Sequence, residues 1–380
     1  MRIVSDRGVG VQNVCLSVIL EFIQALPMKK GRTHSKEPAH FAAKKIADGR
    51  HMNLELDFGG GWKEAVTLVA DLDRWCTDAE TVCGWTLAHR GPVDRSILAA
   101  WSLEDQISGE EALFHCGEEA QGFVRFVALS GVDSRQRIRA GAMPWDTGGI
   151  FSLMVRSKNL QAVYDAAMTA GWTSVADPVS FPYNNLILAN VILRGPDGIS
   201  FGMYERVEPP LQGWDHIRMM SQPFNCMQIV RSRDATRDFH RAALGFEPFV
   251  DNDTRNEKPM DSNFGFPLNL TTVIETRAAI MHPRGVPGAK ERDNGRVELI
   301  EWHGLEGRDL SARAVPPNLG HMALRWAVAD VDAATARIEQ AGYTVRSPVT
   351  TVNIAPYGDV RMCGLRTPDG VLYELFQPVN

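Results

Sequence analysis

Apolar and polar positions follow one order again and again along this chain. A short apolar run comes first, then an amphipathic stretch with apolar residues at helical spacing, then a glycine followed by an aromatic residue. The apolar runs are residues 65–70, 150–155, 225–230 and 322–328, and the glycine-aromatic pairs are Gly84-Trp85, Gly171-Trp172, Gly245-Phe246 and Gly342-Tyr343. The runs read as strands and the amphipathic stretches as helices over about 72–83, 158–170, 233–243 and 330–341. A glycine after the last helical turn suits a left-handed cap, and the aromatic after it opens the next strand.

Two of the repeats also share their ends. Arg194-Gly-Pro-Asp-Gly198 and Arg366-Thr-Pro-Asp-Gly370 read as tight turns, each leading into a strand rich in aromatic and branched residues. The helix-ending glycines of these repeats lie 171 residues apart and the turn glycines 172 apart, which is nearly perfect register. Each repeat reads as strand, helix, then three strands. The fold class is therefore α+β, with four βαβββ units forming two paired, curved mixed β-sheets. Proline-containing connections at 132–148, 207–223 and 314–318 separate the units. The boundaries that follow are an extension at 1–51, units one and two at 52–222, and units three and four at 223–380. Unit three carries polar, Gly- and Pro-rich insertions near 251–264 and 283–294, and such loops either carry binding function or are merely solvated.

Composition narrows the classes. Hydrophobic residues make up 44% and charged residues 23% of 380, and the net charge is −6. That is a globular balance with no overall basic field to attract nucleic acid or anionic lipid. The six cysteines form no C-x-x-C pair or zinc-finger spacing, so they read as reduced thiols of a cytoplasmic protein. The apolar stretch at 14–28 is interrupted by Glu21 and Gln24 and is too short for a membrane span. The first fifty residues hold nine Lys/Arg against four Asp/Glu and lack the repeat pattern. They read as a poorly ordered extension, or alternatively as a helix over 14–26 packed on the domain.

The four βαβββ units, the helix-Gly-aromatic ends and the Pro-Asp-Gly-x-x-x-Glu ending resemble the vicinal oxygen chelate superfamily, which includes glyoxalase I, bleomycin-resistance proteins and extradiol dioxygenases. The resemblance covers about residues 60–380, and the four-unit arrangement is similar to the dioxygenases. It implies cups built by paired units, with a divalent metal (Fe, Mn, Ni or Zn) held by residues of first and last strands. Such an ion needs three or four converging N or O ligands and open positions for substrate. In that scheme Glu374 takes the family's last-strand position, four residues after Gly370, and aligning 297–301 with 373–377 puts Glu298 at the same place in unit three. On first strands, unit three offers Asn225. Unit four offers Ala323 by strict count and His321 two residues earlier, on the same face if the strand alternates regularly. The expected metal set is Glu298, His321 and Glu374 in a cup of units three and four, with Asn225 or water completing it. Unit two has Ser152 and Gly202 at the corresponding places, and unit one no last-strand carboxylate.

Several activities fit this resemblance. Glu298 and Glu374 as ligand and base, with His321 as ligand or proton shuttle, would support isomerisation, epimerisation or lyase chemistry next to a carbonyl. A metal-free protein sequestering an aromatic or drug-like ligand is the second reading, with Asn225, Trp302, Trp326, Tyr357 and Phe376 lining the cup. Extradiol ring cleavage is the third, although the expected second His is missing and Gly364 stands where that signature has Tyr. The partner in each case is a small molecule, with neither nucleic acid nor membrane involved, and a homodimer is compatible with the family.

Overall fold

The structure, a computed structural model, describes residues 61–117, 119–183, 185–283 and 295–379. The 1–51 extension and most of the 283–294 insertion therefore lie outside the described residues. Unit one runs β1 (Glu64–Val69), α1 (Leu72–Thr81), β2 (Thr86–Pro92), α2 (Arg95–Ala100), β3 (Ser108–His115) and β4 (Phe123–Ser130). Unit two follows as β5 (Ser152–Ser157), α3 (Leu160–Thr169), β6 (Thr173–Ser174), β7 (Val179–Tyr183), β8 (Leu186–Arg194) and β9 (Ser200–Glu208). Unit three is β10 (Asn225–Ile229), α4 (Arg233–Phe239), β11 (Phe246–Arg255), β12 (Glu275–Pro283) and β13 (Arg296–His303). Unit four is β14 (Gly320–Ala327), α5 (Val331–Gln340), β15 (Val345–Ile354), β16 (Gly358–Arg366) and β17 (Leu372–Pro378).

The helices start and stop where their chemistry requires. Asp71, Asn159, Ser232 and Asp330 each accept a backbone N–H of the first turn. Beyond the last turn the chain turns left-handed at glycine, with φ 71° at Gly84 and 82° at Gly342. A single wide turn, His240–Leu244, extends α4 before Gly245. No helix among the described residues is long and apolar enough to cross a membrane.

The pairing of units is the main departure from the sequence reading. One sheet has the order β15-β16-β17-β14-β1-β4-β3-β2, joining unit four to unit one. The other is β11-β12-β13-β10-β5-β9-β8-β6, joining unit three to unit two, with β7 on β8. The division at 222/223 therefore cuts through a sheet, since β5 and β10 are antiparallel neighbours across it. Self-similarity identifies units but says nothing about partners; the connections decide. The 2→3 connection stays within one sheet, while the 1→2 and 3→4 connections change sheets side by side, touching at Arg137↔Leu319 and Thr147↔Asp309.

The three largest apolar clusters among the described residues follow from this. The largest draws on α1, α3, α4, α5 and both sheets, and contains Trp75, Trp172 and Trp326. A second lies on the other face of the unit-one/unit-four sheet and includes α2 residues Ile97 and Leu98. The third lies on the corresponding face of the unit-two/unit-three sheet and is rich in aromatics. The last two faces are the two cups.

Candidate functional site

In the unit-one/unit-four cup, register brings charge together. Glu64 lies opposite Arg325, Arg325 opposite Glu374, and Val66 opposite Arg125, so alternation puts all four charged side chains on one face. Arg325 bridges two carboxylates, its Nη1 donating to Glu64 Oε1 at 2.7 Å and its Nε to Glu374 Oε2 at 2.6 Å. Arg125 forks onto Glu64 with Nε at 2.8 Å and Nη2 at 2.9 Å, and donates through Nη1 to Glu111 Oε1 at 2.6 Å. The Tyr357 hydroxyl donates to Glu64 Oε2 at 2.9 Å, and the Trp101 indole N–H to Glu374 Oε1 at 2.6 Å. All these residues are buried. Burial alone would push the Glu64 carboxyl up, but the Arg125 and Arg325 guanidinium groups hold it down at about 2. Burial pushes Tyr357 well above its ordinary range, so it remains a phenol.

This cup does not fit a divalent ion. The cation between Glu64 and Glu374 is already supplied by Arg325, and a metal would have to displace a guanidinium making two short charge-assisted bonds. Trp101, just past α2, closes over the same carboxylate. Among the described residues, no three His, Cys, Asp or Glu gather as a metal site requires.

His321 leaves the expected set for a different reason. The β1–β14 ladder shifts register after Val66↔Ala323, and the next pair is Thr67↔His321. The extra residue is Met322, which joins Ala323 in the cup cluster, and this bulge turns His321 to the opposite face. There it packs edge-on to Phe201 at 5.6 Å. Its Nε2 lies 3.0 Å from the Ser200 carbonyl, which can only accept, so Nε2 carries the proton and Nδ1 accepts from Thr67 Oγ1 at 2.9 Å. Burial lowers its pKa to about 4, although the Ser200 carbonyl opposes the shift. Both ring nitrogens are engaged, so His321 ties one sheet to the other and neither nitrogen is free in this arrangement.

Glu298 belongs to the other cup, so it and Glu374 do not converge. It sits opposite Met227 on β10, in the register position that Arg325 holds beside Glu374. Asn225 Nδ2 donates to Glu298 Oε2 at 3.0 Å, and Asn225 Oδ1 accepts the Cys226 backbone N–H at 2.9 Å. Glu298 Oε1 has no hydrogen-bond partner among the described residues, although the side chain is fully buried. Burial pushes its pKa up to about 8. Ser152 and Gly202, at the equivalent places of unit two, add no carboxylate or imidazole. One carboxyl and one amide are a poor metal set, so this cup does not fit a metal either.

The rest of this face is aromatic and apolar. Phe151, Met154, Leu188, Tyr204, Phe224, Ile300 and Trp302 share its cluster. The insertion in unit three folds over it. Phe264 packs on Trp302 at 4.9 Å and near Phe151 at 6.0 Å, and Phe266 meets Trp302 at 4.8 Å. Asn263 Nδ2 donates to Asn190 Oδ1 at 2.7 Å, while the buried Asn190 Nδ2 has no partner among the described residues. Of the expected lining residues, Asn225 and Trp302 belong to this cup. Tyr357 and Phe376 stack on each other in the charged cup at 5.5 Å. Trp326 lies in the shared core against Phe246 and Tyr373, remote from either cup face. Glu64, Arg125, Arg325, Asn190 and Asn263 were not among the expected site residues. Arg125 and Arg325, each inside an otherwise apolar strand, were the signal that could have found part of them.

Residues 215–375 match the sequence profile of the Glyoxalase/Bleomycin resistance protein/Dioxygenase superfamily. No curated protein matches the chain significantly in sequence. Among solved structures, glyoxalase I from Zea mays superposes with a TM-score of 0.54 at 15% identity, covering 83% of this chain and 92% of that one. A putative dioxygenase from Bacillus subtilis superposes with a TM-score of 0.50 at 12% identity, covering 85% and 87%. At such identities the likeness shows a common fold. Residues 215–375, which span the third and fourth units, belong to the Glyoxalase/Bleomycin resistance protein/Dioxygenase superfamily.

Proposed function

We propose that this protein binds a small, largely aromatic molecule in the cup of units two and three, and does so without a divalent metal. The observation that carries the reading is Glu298 Oε1, a buried oxygen without a hydrogen-bond partner among the described residues, on an aromatic-rich face. Buried polar atoms are nearly always satisfied, so an unsatisfied one on such a face is the place for a ligand's polar group. Asn190 Nδ2, beneath the unit-three insertion, offers a second such atom. The charged cup serves as scaffold in this reading, since each carboxylate there has a donor.

Catalysis is the second reading, and the shifted titration of Glu298 to about 8 favours it. A carboxyl titrating near neutral pH is suited to moving a proton next to a carbonyl. Isomerisation or epimerisation would then run on Glu298 alone. Ring cleavage finds less support, because it places a metal at Glu374.

Two measurements test the proposal together. Elemental analysis of the purified protein should find Fe, Mn, Ni and Zn well below one equivalent, and chelation should leave its melting temperature unchanged. Neutral naphthalene dyes should bind with quenching of tryptophan fluorescence, and Trp302→Ala should weaken them. A stoichiometric metal, or a folded protein that takes up no aromatic probe, would defeat the reading.

A further inference from the structure

The chemistry at Glu298 defines its ligand more narrowly, provided the unit-two/unit-three cup is the binding site as proposed above. The groups around this carboxyl decide its charge. On β10 it faces Asn225 and Met227, and on β12 it lies opposite Ile280, none of which is charged. On its own strand Arg296 is two residues away, with its guanidinium over the Phe249 ring at 4.7 Å. His282, two residues along β12 from Ile280, titrates near 4, lowered by burial and by Arg296, and is uncharged at neutral pH. The Cys226 thiol is pushed up by burial, with Glu298 adding to the shift, so it too stays uncharged. An ionised carboxylate here would be a buried charge held by one neutral amide, a state that costs several kcal/mol.

We infer that Glu298 acts as a neutral hydrogen-bond donor, its Oε1 carrying the proton toward the ligand, and that the cup selects uncharged aromatic molecules bearing a carbonyl or comparable acceptor oxygen. The geometry fixes which oxygen carries the proton. Oε2 already accepts from Asn225 Nδ2, an amide nitrogen that can only donate, so the hydroxyl is the oxygen left without a partner among the described residues. Asn190 Nδ2 is likewise a donor without a partner among the described residues. Both unsatisfied positions therefore call for acceptors. A cationic ligand would find no anion at Glu298, and an anionic one would approach a group that ionises as the pH rises.

The test uses two dyes of one shape, 6-propionyl-2-(dimethylamino)naphthalene and the ketone-free 2-(dimethylamino)naphthalene, titrated onto the full chain. At about pH 6.5 the ketone should bind roughly three- to tenfold more tightly than its parent, the worth of one buried neutral hydrogen bond. Near pH 9.5 that advantage should vanish, because the ionised carboxylate cannot donate. Glu298→Gln, whose amide still donates, should keep the preference at both pH values, and Glu298→Leu should lose it at both. Infrared difference spectra between the two pH values should show one protonated-carboxyl band in the wild type that is absent from Glu298→Gln. Equal binding of both dyes to the wild type, or a preference that survives Glu298→Leu, overturns the donor assignment and leaves the cup as the site. If neither dye binds, the reading of the cup itself fails.

Discussion

Replacing Arg325 with methionine isolates the most consequential feature of the charged cup. Methionine approximates the arginine stem, so packing changes little, while both bridging bonds of 2.6 and 2.7 Å disappear. Glu64 keeps the two-pronged contact with Arg125, and Glu374 keeps, among the described residues, the Trp101 indole. Three buried carboxylates would then face one guanidinium instead of two. Removing one partner of a buried pair and leaving the other costs about 3–5 kcal/mol. Urea unfolding followed by circular dichroism should show this loss at about pH 8, with the slope unchanged. Adding Glu374→Gln should restore at least half of it, since it removes the stranded charge. A loss below about 1 kcal/mol at pH 8, or a double variant no better than the single one, would refute the idea that Arg325 is the counter-ion of this cup.

Three further outcomes follow from the same geometry. Trp101→Phe keeps a ring over the cup but removes the donor to Glu374, and should cost about 1–3 kcal/mol in the same assay. Glu298 titrates near 8 in the folded state against an ordinary value of 4.5, so the stability it contributes is complete below 4.5 and lost as pH rises toward 8. Glu298→Gln should therefore gain on the wild type by roughly 3 kcal/mol between about pH 5 and 8, and a flat difference would contradict its protonated state. His321 has the opposite sign: its folded value near 4 lies below the ordinary 6.5, so its stabilisation is present above 6.5 and fades as pH falls. The cost of His321→Gln at about pH 8 should shrink by about 2 kcal/mol at pH 5, with metal content untouched.

What the sequence carried and what it hid divide along physical lines. Helix ends at glycine and the period of apolar runs are local properties, so the four units and their helices were legible, including Asn225 and Glu298 on neighbouring strands. Unit pairing is non-local. Nothing in the matched turns at Gly198 and Gly370 says that β14 will zip onto β1 and β10 onto β5. His321 was misplaced because strand alternation was carried across a bulge, and an inserted residue leaves no mark in a run such as Gly320–Ala327. Glu64 escaped because the strand was read as starting one residue later. Trp326 and Trp302 look alike in sequence, and only the choice of face separates a core residue from a cup residue.

The two cups show how one fold position acquires opposite chemistry from its strand neighbour. Glu374 and Glu298 stand at matching places on the last strands of units four and three, both buried. The residue across the ladder is Arg325 for the first and Met227 for the second. With Arg325 alongside, the carboxylate of Glu374 accepts from a guanidinium and from the Trp101 indole, in a network where each carboxylate has a charged donor. With Met227 alongside, Glu298 meets Asn225 alone among the described residues, so burial pushes its carboxyl up and one oxygen is left unsatisfied there. In the proposed reading, the arginine that neutralises one cup makes it scaffold, and its absence leaves the other open to an acceptor. On that reading the contrast between the cups rests largely on one cross-strand difference, Arg325 against Met227.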